Sequence, residues 1–228
     1  MEPFYFRRGF SLVELLVAFT IITVLMSVVL SSQSSFNKST ILSNTAYDIA
    51  LTLRSAETFG LSSRGSSASV SAGYGLHFLS SSQGSFTLFS DVSPLPGVSD
   101  YCHPLSSDSR GADAPDAKPG NCVYDDGSSE KINEYVLGNG IIISDFCAKS
   151  SSWSCAQAHS GYSGGLSSLD IVFARPNPSP YMSVNRSYSS ISPVTAACLT
   201  ISSPQGGPSR FISVAASGQI TANAPSCP

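Results

Sequence analysis

One stretch near the start of this chain constrains its fold more than any other. From Phe10 to Leu30 the sequence reads FSLVELLVAFTIITVLMSVVL, 21 residues with a single charge, Glu14. At about 1.5 Å per residue, such a helix is roughly 31 Å long, the thickness of a bilayer core. Ser11, Thr20, Thr23 and Ser27 are small polar residues that a spanning helix tolerates. The run reads as a transmembrane helix. Arg7 and Arg8 precede it, and the next basic residue is Lys38. The positive-inside rule puts the N-terminus in the cytoplasm and everything after about residue 31 outside. A secretory signal has an apolar core of about 7–15 residues and then a small-residue cleavage site. Here the run is longer and continues into Ser31-Ser32-Gln33.

A carboxylate within an apolar span is expensive, so Glu14 points to function. The residues before it stand in a definite order: a short basic leader with Arg7 and Arg8, then Gly9, Phe10, Ser11, Leu12, Val13 and Glu14. This order resembles the N-terminus of type IV prepilins and type II secretion pseudopilins. The resemblance implies that a prepilin peptidase cuts between Gly9 and Phe10 and N-methylates Phe10. Removing the nine-residue leader leaves 219 of the 228 residues. After cleavage Phe10 carries a charged amine at the membrane edge. In a packed filament, Glu14 of one subunit can pair with the Phe10 amine of a neighbour and fix axial register. The bland alternative is a Glu14 that snorkels at the interface. The resemblance also implies partners: other pilin or pseudopilin subunits, an inner-membrane assembly platform and membrane lipid.

Composition sharpens the division between this span and the rest. Charged residues make up 12% of the chain, against about 25% in an ordinary domain. Serine occurs 48 times. With so much serine, glycine and proline the chain could pass for a linker. Yet 42% of it is hydrophobic and 10% aromatic, with a net charge of only −3, which excludes wholesale disorder. The same charge excludes nucleic-acid binding through a large basic surface.

Ile41, Leu42, Ala46, Ile49, Leu53 and Ala56 recur at helical spacing with polar residues between them. They predict an amphipathic helix over 31–60 that continues residues 10–30 as one long helix, kinked near the small-residue break at Ser31–Ser35, with a stop at Gly60. Beyond Gly60 the period changes to two. Val70–Phe78, Ser85–Val92, Glu134–Leu137, Gly140–Ser144, Ser168–Ala174, Thr195–Ser202 and Arg210–Ile220 read as strands, with Pro176, Pro178 and Pro180 ending the fifth. Residues 93–131 read as a long acidic, solvated loop. The expectation is an α+β, pilin-like fold in four parts: leader 1–9, spanning helix 10–30, amphipathic helix 31–60, and an antiparallel β-rich head 61–228. LRSAE at 53–57, GYGLHF at 73–78, FTLFSD at 86–91 and the closing FISVAASGQI resemble H-type minor pseudopilins and related minor pilins.

Cys102, Cys122, Cys147, Cys155, Cys198 and Cys227 all follow the span, where disulfides persist. Fifteen pairings are open; sequential pairing is the expectation. A zinc site is disfavoured, because there is no C-x2-C spacing and the three histidines are scattered. Asp108, Asp113, Asp116, Asp125 and Asp126 match no EF-hand spacing. Some pseudopilins hold a structural calcium in such a loop, so calcium stays open beside the expectation of no cofactor. Gly161-Tyr162-Ser163-Gly164-Gly165 fits the G-x-S-x-G elbow of hydrolases, but His77, His103 and His159 all precede Ser163, whereas that elbow needs a later histidine. Arg175, Arg186 and Arg210, near Tyr181 and Tyr188, could contact DNA as in competence pilins. Asn37 and Asn185 begin formal glycosylation sequons. The expected function is structural and non-enzymatic: a minor subunit of a type IV pilus or secretion pseudopilus. A DNA-uptake or adhesion pilin and, remotely, an anchored hydrolase are the rivals.

Overall fold

The computed structural model describes residues 9, 11–62, 72–92, 120–126, 129–158, 162–175, 177–189, 191–203 and 206–227. One helix, α1 (Leu12–Leu61), precedes eleven strands. These are β1 (Gly73–Leu79), β2 (Ser85–Asp91), β3 (Lys131–Val136), β4 (Ile142–Lys149), β5 (Trp153–Cys155), β6 (Ser163–Gly164), β7 (Ser168–Ala174), β8 (Asn177–Val184), β9 (Ala196–Ser202), β10 (Arg210–Ala215) and β11 (Ile220–Ala224). The plan is α+β and pilin-like: a long N-terminal helix, then sheets. The chain divides into two compact units, residues 1–41 and 42–228.

Helix α1 runs continuously through Ser31–Ser35, the one long helix that the sequence suggests. Serine is only a mild helix disfavourer, and no Gly or Pro interrupts the run. In the second unit the helical stripe is buried as its spacing requires: Leu42, Ala46, Ile49, Leu53 and Ala56 are all at or below 1% exposed. Burying a Leu or Ile side chain is worth about 1.5–3 kcal/mol, so three such residues hold this half of the helix against the sheets. Gly60 does not stop the helix, which runs on to Leu61. A Cβ there would meet the Phe173 carbonyl oxygen at 2.1 Å. Glycine is needed because helix and strand touch backbone to backbone. Phe59 meets Tyr74 edge-on at 5.7 Å beside this contact.

Among the described residues the head holds two sheets with eleven strands, four more than the sequence suggests. The first has the order β3-β2-β1-β7-β8 and is antiparallel throughout. Tyr74, Leu76, Phe78, Leu88, Leu169, Ile171 and Phe173 lie on its helix-side face, all buried. The second has the order β11-β10-β9-β4-β5-β6, antiparallel apart from the parallel β5–β6 pair. Its core face carries Phe146, Leu199, Ile201, Ile212 and Val214. Arg54 Nη2 donates to the Ile220 carbonyl at 3.3 Å, and Asn223 Nδ2 donates to Ser43 Oγ at 2.9 Å, so the helix is also fastened to β11.

Two further expectations are corrected. Strand β7 ends at Ala174 as expected, but Pro178 and Pro180 then lie within a further strand, β8, that the sequence did not suggest. Because β8 is an edge strand, paired only with β7, its outward N–H positions need no ladder partner and alternate prolines fit there. The region 93–131 is not simply a solvated loop. Residues 93–119 lie outside the described residues, but Cys122, Val123 and Tyr124 are buried, Cys122 and Tyr124 packing with Phe89 and Val172 of the first sheet.

Candidate functional site

The N-terminal site is built on the first turn of α1. Ser11 precedes the helix, and its Oγ accepts the Glu14 N–H at 3.2 Å, while the Ser11 carbonyl accepts the Leu15 N–H. Ser11 is thus the N-cap, and Glu14 occupies the third helical position, the S-x-x-E pattern of a capping box. Its negative charge also suits the positive end of the helix dipole. The S-x-x-E spacing was readable in the sequence, and sequence reasoning passed over it. Gly9 is exposed, with nothing within 4 Å of where a Cβ would stand. Phe10 lies outside the described residues. From Leu12 to Leu30 none of the side chains is buried within the chain. The hydroxyls of Thr20, Thr23 and Ser27 donate to the carbonyls of Val17, Phe19 and Thr23 at 2.8 Å, leaving no bare donor on an apolar surface. About 28 Å of helix length is exposed in this way.

The head contains a second constellation that sequence reasoning missed. On the face of the first sheet away from α1, three carboxylates hold the segment 120–126 by its backbone. Asp91 accepts the N–H groups of Asn121 and Cys122 at 3.0 and 2.8 Å. Asp170 Oδ1 accepts the Tyr124 N–H at 3.3 Å. Glu130 accepts those of Asp125 and Val92 at 2.9 and 3.0 Å. Ser183 Oγ donates to the Cys122 carbonyl at 2.7 Å. Asp91, Glu130 and Asp170 are each 0% exposed. Burial, and next the charge of Glu130, pushes the Asp91 carboxyl well above the usual carboxylate range against the pull of its two backbone donors. Burial raises Asp170 as well, with His77 pulling the other way.

His77 lies beneath this segment, 2% exposed. Its Nδ1 is 2.6 Å from Asp170 Oδ1, and its ring lies 4.8 Å from that of Tyr124. Its Nε2 finds no hydrogen-bond partner among the described residues. Strand pairing sets Glu134, Thr87, His77, Asp170 and Ser183 in one row across all five strands. The only signals available beforehand were single polar residues inside otherwise apolar strands.

Other sequence candidates fall as follows. Cys147 is bonded to Cys155, and Cys198 to Cys227. Cys122 is disulfide-bonded, and Cys102, its expected partner, lies outside the described residues. Asp108, Asp113 and Asp116 lie outside them too, as do His103 and His159. Asn121 Nδ2 donates to the Asp125 carboxylate, and Asp126 is ion-paired with Arg186. Ser163 sits in a two-residue edge strand followed by β7, not in a strand-to-helix elbow. Asp145, Cys147 and Cys155 bring potential metal-ligand atoms together, but both sulfurs are spent in a disulfide. Arg175 and Arg186 stand at opposite ends of the β7–β8 hairpin, roughly 20 Å apart at about 3.3 Å per residue. Arg210 begins β10 in the other sheet. Asn185 and Arg186 both have positive φ in a tight turn, with Asn185 Oδ1 accepting the Ser167 N–H.

Comparison with known proteins identifies one feature: residues 6–30 match the prokaryotic N-terminal methylation motif. No curated protein and no solved structure matches the chain.

Proposed function

We propose that this chain, whose methylation motif and apolar helix fit the type IV pilin and pseudopilin family, is a processed, non-enzymatic minor subunit of a type IV pilus or a secretion pseudopilus. The observation that carries the reading is the order of the N-terminus: the end of the leader, Gly9, Phe10 and Glu14 fall inside the matched motif, and Glu14 stands near the start of a 19-residue, largely apolar span, Leu12–Leu30, whose side chains the chain itself does not cover. In this reading prepilin peptidase cuts after Gly9 and methylates Phe10. The exposed position of Gly9 suits a protease. Glu14 then pairs with the Phe10 amine of a neighbouring subunit, and the apolar helices pack into a filament core. Before assembly the chain is anchored in the inner membrane, with the head outside the cytoplasm.

Intact-mass and N-terminal analysis of membrane-extracted protein tests this. A chain starting at methylated Phe10 is expected. A chain that keeps its leader in a host with active prepilin peptidase would overturn it. Gly9→Val should block processing. Glu14→Val should leave processing intact and impair assembly, read as accumulation of mature subunit in the membrane. The DNA-uptake alternative loses support from the separation of Arg175 and Arg186 and from the ion pair holding Arg186. The hydrolase alternative loses support from the absence of a helix after Ser163.

A further inference from the structure

We infer that the segment Gly120–Asp126 is a pH-responsive lid, released from the first sheet when His77 takes up a second proton. The geometry is asymmetric about the imidazole. Nδ1 faces Asp170 Oδ1, which also accepts the Tyr124 N–H; we take this oxygen as the acceptor of both bonds, which puts the proton of the neutral ring on Nδ1. In the neutral ring Nε2 is then a bare lone pair under the Tyr124 ring. A second proton turns it into a buried, charged N–H with no acceptor in reach. An unsatisfied charged donor is among the most costly groups to bury.

The surroundings determine how that cost is relieved. From the lid come Tyr124, Asp125 and Asp126. Strand β2 brings Asp91, the residue before β3 brings Glu130, β3 itself brings Lys131 and Glu134, and β7 brings Asp170. The β8 turn brings Arg186 against Asp126. The other titratable group of β1, Tyr74, lies on the opposite face against Phe59; Tyr181 of β8 and Tyr188 pack against the lid cluster. While Tyr124 stays in place, a second proton on Nε2 has no acceptor. Proton uptake is therefore coupled to movement of the lid rather than to loss of the fold. His77, Thr87, Tyr124, Asp126, Lys131 and Glu134 all line one groove, so lifting Tyr124 lets water or the Glu134 carboxylate reach Nε2. The lid is a short segment held by a few discrete bonds, the kind of element that opens locally.

Hydrogen exchange on the full-length chain in detergent, corrected for intrinsic rates, tests this between about pH 8 and about pH 5, the window in which an imidazole changes charge. The amides of Asn121, Cys122, Tyr124 and Asp125 are expected to lose at least about tenfold in protection at the acid end, while those of Leu169–Phe173 in β7 keep theirs. His77→Gln, which cannot take up the proton, should hold lid protection constant. Tyr124→Ala should leave the lid unprotected at both pH values. Constant lid protection in the unaltered chain would overturn the proposal. An acid-induced loss that persists in His77→Gln would also overturn it, and would assign the release to Asp91 and Asp170. Should His77→Gln fail to fold, pH-dependent lid protection surviving in Tyr124→Ala would overturn the proposal by itself.

Discussion

At the scale of single residues, polar groups in unexpected places organise the head. Asp91 illustrates how. In the unfolded chain it titrates near the ordinary aspartate value, about 3.9. In the fold, burial and Glu130 raise it well above that. Between the two values the folded chain holds a proton that the unfolded chain has released. The sign follows by linkage: the stability is present below the unfolded value and is lost as pH rises through the folded one. Asp170, also raised, adds to the same slope. Asp91→Asn removes the larger contributor, so melting temperature plotted from about pH 4 to about pH 8 should fall less steeply in the variant than in the parent. An unchanged slope would show that Asp91 does not titrate in that window. Little of this was legible beforehand. Asp91 reads as the end of a strand entering a loop, and its partners Asn121 and Cys122 lie about 30 residues away in a segment whose acids and prolines spell solvent.

At the scale of elements, periodicity worked where one face alone decides burial. The stripe from Leu42 to Ala56 was legible because helix packing leaves a 3.6-residue trace, and β1, β2, β7, β9 and β10 carry the period of two. It failed for β8, β5, β6 and β11. Strand β8 is written in prolines that only an edge position admits, a property of sheet order rather than of local sequence. The three-residue β5 and two-residue β6 exist because the Cys147–Cys155 bond and the neighbouring β4 hold them. Gly60 fell between these cases: it is visible as a helix punctuator, yet its role is contact. Gly60→Ala tests that reading. Helix propensity alone predicts a gain of about 1 kcal/mol. The clash with the Phe173 carbonyl predicts a net loss of about 1–3 kcal/mol, because helix and β7 must separate. Gly84→Ala is the control, since nothing lies within 4 Å of that Cβ position. Chemical denaturation should find the first destabilised and the second near neutral. Equal effects would sink the contact explanation.

At the scale of the whole molecule, a chain with so few charges and so many serines divides into a span whose apolar side chains find no cover within the chain and a head built around two sheets. The span was fully legible, because a bilayer demands length and composition and nothing subtler. The head's economy was not, because it depends on which distant segments are tied together. Both described disulfides emerge from one face of the second sheet, where Cys147 stands directly beside Cys198. Cys147–Cys155 spans a sequence separation of 8 within a hairpin. Cys198–Cys227 spans 29 and ties the C-terminal residues back to β9. If the bonds act by restricting the unfolded chain, the longer loop contributes more, about 3.6 kcal/mol against about 2.5. The shorter bond also ties strands that β4–β5 pairing already joins, whereas nothing in the hydrogen-bond ladder extends past Ala224 toward Cys227. Replacing Cys198 and Cys227 together by serine should therefore lower unfolding free energy by roughly 1 kcal/mol more than the Cys147/Cys155 double variant. The larger loss should also come with earlier proteolysis of the C-terminal residues. If the shorter loop proved the more important, the head would owe its stability to holding the small β5–β6 edge in place rather than to the closure of its C-terminus.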